Sequence, residues 1–340
     1  MIFMSKRILA AACAAATALA LSACSSTPSS EGNTTKDGTL TVMASFYPLQ
    51  YLAEKIGGEH VTVTSLTPAG AEPHDLELSH KTVDALASAD AVVYLAGFQS
   101  AVDEAIEQQA PKTVIDVSPA AELVEANSSA NHPSEDEDED EAQSGESATE
   151  EHADHDHEGH DHEGHHHDMS ADPHFWLDPV RMASAATLVG DKLAEADPAN
   201  ADTYKANAKA LNEELSALGD DLVAKTATCQ IKTFVTAHTA FGYLADRTGL
   251  TQVGISGLDP DSSPSPARLA EIGQIAKDQG VTTIFTEALI DPKVAQTLAD
   301  DLGISTAVLD PIESQTDSSK DYAAVMKDNI NALTTANNCQ

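Results

Sequence analysis

Eight histidines crowd one short stretch of the chain, where they alternate with aspartate and glutamate. They are His152, His155, His157, His160, His162, His165, His166 and His167. Neutral imidazole is a good ligand for zinc, copper and nickel, so the tract predicts transition-metal binding. The alternative is a solvated acidic loop with accidental histidines, which eight histidines within 16 residues disfavour. Because such a tract cannot impose one geometry, we expect several loose sites.

A second group of candidate ligands lies outside this tract. His74 follows a predicted strand in the first half of the chain, and His238 and Asp310 follow the first and last predicted strands of the second half. Open α/β sheets bind ligands beyond the carboxyl ends of their strands, so these residues stand where such folds place a site. His174 precedes the point where the chain leaves the first half. Taken singly, each histidine also fits a surface residue, and Asp310 also fits the start of a turn.

Two stretches of alternating strand and helix signals must position these residues. Residues 39–118 and 232–336 each contain about four β-rich runs separated by helical segments. This alternation indicates βαβ units and mostly parallel sheets. We therefore expect an α/β fold of two similar lobes, each a mostly parallel sheet flanked by helices, with a metal site between them.

A long helix is predicted between the lobes. Residues 200–225 carry apolar side chains at helical spacing and no proline, and their first glycine is Gly219. At about 1.5 Å per residue, one helix would exceed about 30 Å and limit the relative motion of the lobes. Two shorter helices broken at Gly219 also fit the pattern. The expected boundaries are a first lobe at 39–198, a linker helix at 199–226 and a second lobe at 227–340.

The start of the chain resembles an export signal. Ile8–Leu21 is apolar or small throughout and too short to span a bilayer, so residues 1–23 are read as a signal peptide. Cys24 follows in the position of a lipobox cysteine, which predicts cleavage before it and acylation of it. The alternative is an ordinary secretory signal with a chance cysteine. Residues 24–38 are rich in small polar residues and predict a flexible tether.

Cysteine usage and charge limit the function classes further. If Cys24 carries lipid, Cys229 and Cys339 remain as a pair, and outside the cytoplasm such a pair predicts a disulfide. The formal net charge of −37 excludes nucleic acid as a partner and suits a protein that handles cations. Much of it is local, since 16 of the 55 acidic residues lie between positions 135 and 168. Residues 131–171 have few apolar side chains, so this insertion is expected to be disordered without a ligand.

Six motifs give the chain a family resemblance. They run in order along residues 39–340 as Ser45-Phe-Tyr-Pro48, Gly70-Ala-Glu-Pro-His-Asp75, Asp172-Pro-His-Phe-Trp-Leu-Asp-Pro179, Thr236-Ala-His-Thr-Ala-Phe-Gly-Tyr243, Phe285-Thr-Glu287 and Leu309-Asp-Pro311. The sequence resembles the metal-binding lipoproteins of ABC importers for zinc and manganese, the cluster A-I solute-binding proteins, and within them the ZnuA-like zinc branch. The resemblance implies two α/β lobes, a long connecting helix, an interlobe metal site and a His-rich insertion before the second ligand.

The resemblance also implies a set of metal ligands. These are His74, His174 and His238, with Asp310 as the fourth. Manganese proteins of this family usually carry glutamate at the third position, so His238 indicates zinc, which a nitrogen-rich site suits. Glu72 is the alternative fourth ligand. Glu287 is interpreted either as an acceptor that orients a ligand imidazole or as an interlobe hydrogen-bonding residue.

These observations predict a protein that captures zinc outside the cytoplasm and delivers it to an ABC permease and its ATPase. We expect a lipid-anchored monomer without catalytic activity. A surface zinc buffer or adhesin with no importer fits the same sequence. A zinc hydrolase, with Glu72 or Glu287 as general base, would need an open coordination position that a fourth protein ligand removes.

Overall fold

A computed structural model describes residues 38–125 and 171–340. The predicted signal peptide, Cys24, the acidic run and the eight clustered histidines lie outside these residues. Within the described part, none of the helices combines the length and apolar character needed to cross a membrane.

The first lobe is built on a parallel sheet of four strands, β1 (Leu40–Ala44), β2 (Val61–Ser65), β3 (Ala91–Tyr94) and β4 (Val114–Asp116). Their order is β2-β1-β3-β4. The helices of this lobe are α1 (Tyr47–Gly57), α2 (His80–Leu86), α3 (Ser100–Gln109) and the short α4 (Ser118–Ala121). The two central strands are largely buried, as expected for a parallel sheet covered by helices.

The second lobe repeats this topology. Its strands are β5 (Thr233–Thr236), β6 (Thr251–Gly254), β7 (Thr283–Thr286) and β8 (Ser305–Val308), all parallel and in the order β6-β5-β7-β8. Its helices are α7 (Gly242–Thr248), α8 (Pro266–Asp278), α9 (Lys293–Leu302) and α10 (Tyr322–Ala336). The predicted class of two similar parallel-sheet α/β lobes is therefore confirmed.

Two long helices connect the lobes. Helix α5 spans Pro179–Ala196 and α6 spans Ala201–Thr226, without a break at Gly219. Helix α6 packs against α5 and against α1 of the first lobe, and also against α7 and α10 of the second. It is thus a shared support for both lobes, and the alternative of two short helices is not what forms.

A single apolar core crosses from one lobe to the other. Phe46, Trp176, Phe241 and Tyr322 are all buried within one cluster of contacting side chains, although they belong to different lobes. Interiors of this kind are close-packed, so the lobes cannot separate without opening that core.

Three polar contacts reinforce the interlobe core. Trp176 Nε1 donates to the Pro311 carbonyl at 2.7 Å, and the Tyr243 hydroxyl donates to the Asp172 carbonyl at 2.7 Å. The Arg247 guanidinium faces the buried carboxylate of Asp178, with Nη2 2.7 Å from Oδ2 and Nε 2.6 Å from Oδ1. Each contact joins the segment around α5 to the second lobe.

A disulfide joins Cys229 to Cys339, the pair expected from the sequence. Cys229 lies just after α6 and Cys339 just after α10. Beside the disulfide, the Ile231 amide donates to the Asn337 carbonyl at 3.1 Å. The end of the chain is thereby fixed to the entrance of β5.

Helix α7 starts later than the sequence pattern indicates. The residues from Thr239 to Arg247, followed by Gly249, predict a helix that begins at Thr239. In the structure the Thr239 amide instead donates to the Gly257 carbonyl and its hydroxyl donates to the Ser256 carbonyl, both at 2.9 Å. These bonds hold residues 237–241 as a loop against the end of β6. The loop carries His238 at the mouth of the second sheet.

Candidate metal centre

Four side chains meet between the lobes: His74, His174, His238 and Glu313. One donor atom from each lies within 4.8 Å of the others. Glu313 Oε1 is 3.2 Å from His174 Nε2, 3.4 Å from His238 Nε2 and 3.6 Å from His74 Nε2. His174, His238 and Glu313 are buried, and the His74 side chain is 6% exposed.

The loop between β2 and α2 positions His74. Its backbone is held at Pro73, whose carbonyl accepts a hydrogen bond from the buried Gln99 side chain at 3.0 Å. Further back, the Gly70 amide donates to Ser314 Oγ at 2.7 Å, which ties this loop to the residue after Glu313. The His74 ring packs edge-on against Phe98 at 4.9 Å between centroids, and this contact restricts the orientation of the imidazole.

Asp172 positions His174. Its Oδ1 accepts from the His174 amide at 2.9 Å and lies 2.8 Å from Nδ1 of the ring. With Nδ1 bonded to Asp172, the other ring nitrogen, Nε2, faces the cluster and lies 3.3 Å from His74 Nε2. Asp172 stands two residues before His174 in the chain, a position compatible with this role, but its residue type alone does not distinguish it from other acidic residues.

His238 stands at the topological switch point of the second sheet, where the connections from neighbouring strands β5 and β7 diverge. Glu287 follows β7, and its Oε2 lies 2.7 Å from His238 Nδ1 while Oε1 accepts the His238 amide at 3.1 Å. Glu287 therefore orients an imidazole, and the alternative of an interlobe contact does not apply because both residues belong to the second lobe. Gln252 adds a bond to the His238 carbonyl at 3.1 Å.

Glu313, not Asp310, is the carboxylate that reaches the imidazoles, which corrects the expected fourth ligand. Asp310 Oδ1 accepts the Ile312 amide at 2.7 Å, so its side chain closes the turn after β8. The side-chain oxygen of Asn329 accepts the Asp310 amide at 2.9 Å, and its side-chain nitrogen donates to the Asp310 carbonyl at 2.6 Å. The turn, with Ile312 at φ 57°, brings Glu313 round to the histidines.

Glu72, the alternative fourth ligand, lies beside the cluster and outside it. Its Oε1 accepts the His74 amide at 3.1 Å. Burial and the nearby negative charge of Glu313 raise the pKa of Glu72 to about 8. It is half-buried, unlike Glu313.

Burial and mutual contacts shift the pKa values of the four clustered side chains. Burial lowers the pKa of His74. Burial acts the same way on His174 and His238. The hydrogen-bond acceptors Asp172 and Glu287 and the nearby negative charge of Glu313 outweigh it, so the pKa of His174 is raised and that of His238 is raised well above its usual value. Burial raises the pKa of Glu313, yet the three close imidazoles hold it well below its ordinary range.

The donor geometry fits a metal ion better than a hydrogen-bond network. His238 Nε2 and Glu313 Oε1 are both buried and only 3.4 Å apart, yet within the described residues neither makes a hydrogen bond. Buried polar atoms normally have partners, and three imidazole nitrogens with one carboxylate oxygen form a donor set that suits tetrahedral zinc.

The fold and this cluster define a class: a two-lobed α/β protein with a buried metal site between its lobes. The sequence profile of the family described as "Zinc-uptake complex component A periplasmic" matches residues 42–336. The chain belongs to this family.

Individual relatives agree with the family assignment. The zinc-binding lipoprotein AdcA of Streptococcus pneumoniae is 34% identical over 303 residues, covering 87% of this chain and 56% of AdcA, so the chain spans about half the length of that relative. The high-affinity zinc uptake system protein ZnuA of Bacillus subtilis is 34% identical over 327 residues, covering 94% of each protein. A Zn(II)-bound mutant variant of AdcAII from Streptococcus pneumoniae has a similar structure, with a TM-score of 0.72, 29% identity and coverage of 89% and 100%.

Proposed function

We propose that this protein binds one zinc ion tightly between its lobes and delivers it to an ABC permease and ATPase for uptake. The observation that carries the proposal is the buried convergence of His74, His174, His238 and Glu313, with donor atoms within 4.8 Å of one another. The assignment of these four as the ligands is part of the proposal. The names of the AdcA and ZnuA relatives support zinc as the cargo.

The donor set favours zinc capture over the alternatives. Manganese prefers oxygen-rich sites, whereas three of the four donors here are imidazole nitrogens. A zinc hydrolase keeps a coordination position for water, and four protein donors would fill a tetrahedral shell. The second-lobe carboxylate Glu313 therefore supports a binding protein over an enzyme.

We further propose that the protein works outside the cytoplasm, anchored by lipid at Cys24 after removal of residues 1–23. The sequence around Cys24 and the name of the lipoprotein relative support this. The His-rich tract at 152–167 is proposed as an accessory site that concentrates zinc near the mouth of the interlobe site.

Zinc stoichiometry and affinity, measured by competition with a chromogenic chelator, test the interlobe site. The proteins compared, all lacking residues 1–24, are the parent, a deletion of residues 132–168, His238→Ala and His80→Ala. His80 is an exposed histidine at the start of α2 and serves as the matched control. One tight site should survive the deletion and His80→Ala and disappear in His238→Ala.

The opposite result overturns the proposal. If tight binding disappears with the deletion and His238→Ala changes nothing, the protein is a surface zinc buffer and not an importer component. Delivery has its own test: uptake of radioactive zinc by zinc-starved cells that lack the gene should be restored by the parent gene and not by His238→Ala.

A further inference from the structure

A cavity of about 270 Å³ opens beside the metal centre. It is formed mainly by loops of the second lobe, the segment 255–264 after β6 and the segment 289–295 after β7. Of the described residues of the first lobe, Glu72 lines the cavity, and the loop after β5 contributes Ala237. Glu72 is two positions before His74 in the chain and Ala237 directly precedes His238, so the cavity reaches the two segments that carry these donors.

The lining of this cavity suits a cation. Its acidic residues are Glu72, Asp261 and Asp291, and among the described residues that line it there is no Lys, Arg or His. Asp291 is paired with Lys293 at 2.7 Å, which leaves Asp261 as the main source of negative potential, while Glu72 adds a carboxyl group beside the His74 backbone. A cleft lined by one sign of charge concentrates ions of the opposite sign and speeds their association.

The other sides of the cluster are closed by protein. His174 and His238 are completely buried, and Glu313 is 1% exposed. His74 is the donor with the most exposed side chain, at 6%. His74 is therefore the most accessible of the four donors, and the Glu72 carboxylate lies next to its backbone amide.

Glu72 contacts both the backbone of His74 and the cavity. One oxygen accepts the amide of His74 at 3.1 Å, which holds the side chain next to that ligand, while the residue also lines the cavity. A carboxylate has two oxygens and several lone pairs, so it can keep this hydrogen bond and still coordinate an ion. Glu72 lies outside the group of four converging donors, so the resting site does not require it.

We propose that this cavity is the path by which zinc enters and leaves the interlobe site, and that Glu72 is the transient ligand that passes the ion between the cavity and His74. The inference rests on the proposed zinc site. A transfer ligand lowers the barrier in both directions, so it changes the rates of binding and release and leaves their ratio nearly constant.

Stopped-flow fluorescence of Trp176 provides the test. It is the only tryptophan of the chain, and its ring lies 5.2 Å from that of His174, so the signal reports the interlobe site. In Glu72→Gln, which keeps the shape and the acceptor oxygen, zinc association should slow by about tenfold. Release into excess chelator should slow by a similar factor, and Kd should change much less than either rate.

Asp261→Asn is the matched control, since it makes the same carboxyl-to-amide change in the lining of the same cavity, at an exposed position of the second lobe. It should change the rates by less than about twofold. The proposal is overturned if Glu72→Gln leaves the association and release rates unchanged, or if Asp261→Asn slows association equally. It is also overturned if Glu72→Gln only accelerates release, because Glu72 would then be a permanent ligand. Loss of the tight site in the parent protein would instead overturn the proposed function.

Discussion

A left-handed backbone conformation at Ile312 decides which carboxylate reaches the metal centre. A β-branched residue rarely adopts a φ of 57°, because its side chain crowds the backbone there. The conformation persists because Asp310 accepts the Ile312 amide at 2.7 Å and Asn329 holds the Asp310 carbonyl at 2.6 Å. Such strain is typical of functional sites, and here it turns Glu313 inward.

This arrangement predicts a graded response to removal of carboxylate charge. Glu313→Gln should weaken zinc binding by more than about 100-fold, and Glu287→Gln, which alters only the partner of His238, by about 10–100-fold. Asp310→Asn should have little effect, because the amide oxygen still accepts the Ile312 amide. Competition with a chelator, measured on the three variants, gives the order of their zinc affinities. A loss in Asp310→Asn as large as that in Glu313→Gln would restore Asp310 as the ligand.

Zinc affinity should also depend steeply on pH. The pKa values of His174 and His238 are raised, so both imidazoles hold protons that zinc must displace at pH values where an ordinary histidine is already neutral. Affinity should therefore begin to fall above the usual imidazole pKa of about 6.5 and continue to fall as the pH is lowered. Kd values measured from about pH 5 to about pH 8 test this. Constant affinity down to the ordinary imidazole pKa would contradict it.

At the scale of elements, the packing of α5 against α6 requires a glycine at position 190. A Cβ at Gly190 would lie 2.3 Å from Ala208 Cβ, whereas a Cβ at Gly273 in α8 would meet its nearest neighbour at 3.6 Å. Gly190→Ala should lower the free energy of unfolding by about 1–3 kcal/mol through overpacking. Gly273→Ala should raise it by about 0.5–1 kcal/mol through helix propensity. Denaturant unfolding compares them, and equal effects would refute the packing argument.

Elements with a clear period or cap could be predicted from the sequence. The β-rich runs that begin at Thr39, Val61, Thr233 and Thr251 in the sequence each start within one residue of an observed strand. Ser265 followed by Pro266 is a recognisable helix start in the sequence, and Ser265 caps α8, its Oγ accepting the Arg268 amide at 3.1 Å. Local chemistry fixes these features, so no tertiary information was needed. Helix α7 was placed three residues early because long-range bonds from Thr239 to the β6 loop outweigh its local propensity.

The centre itself was only partly predictable. The three histidines follow strands or carry recognisable motifs, and the structure brings them together. Glu313 could not be separated from Asp310 by sequence, since both are acidic residues after β8 and only the turn at Ile312 distinguishes them. Asp172 was missed for a similar reason: its role depends on the angle at which the chain enters the turn before α5.

For the whole molecule, the disulfide between Cys229 and Cys339 closes a loop with a sequence separation of 110 residues. Restricting so long a loop in the unfolded chain should stabilise the fold by about 2–5 kcal/mol. The double variant Cys229→Ser with Cys339→Ser should lose this much in denaturant unfolding. Zinc affinity should stay the same, because Cys229 precedes β5 and His238 follows it. Unfolding that is insensitive to reductant in the parent protein would contradict the predicted stabilisation.

The four converging donors come equally from both halves of the molecule: His74 and His174 from the first, His238 and Glu313 from the second. A bound ion would thus act as a removable cross-link, raising the free energy of unfolding by an amount that grows with the logarithm of zinc concentration over Kd. Because proteases cut unfolded chains, the zinc-free protein should be digested faster than the zinc-bound protein. The His238→Ala variant should be digested at the rate of the zinc-free protein, whether or not zinc is added. The lifetime of the protein would then record the zinc supply around it.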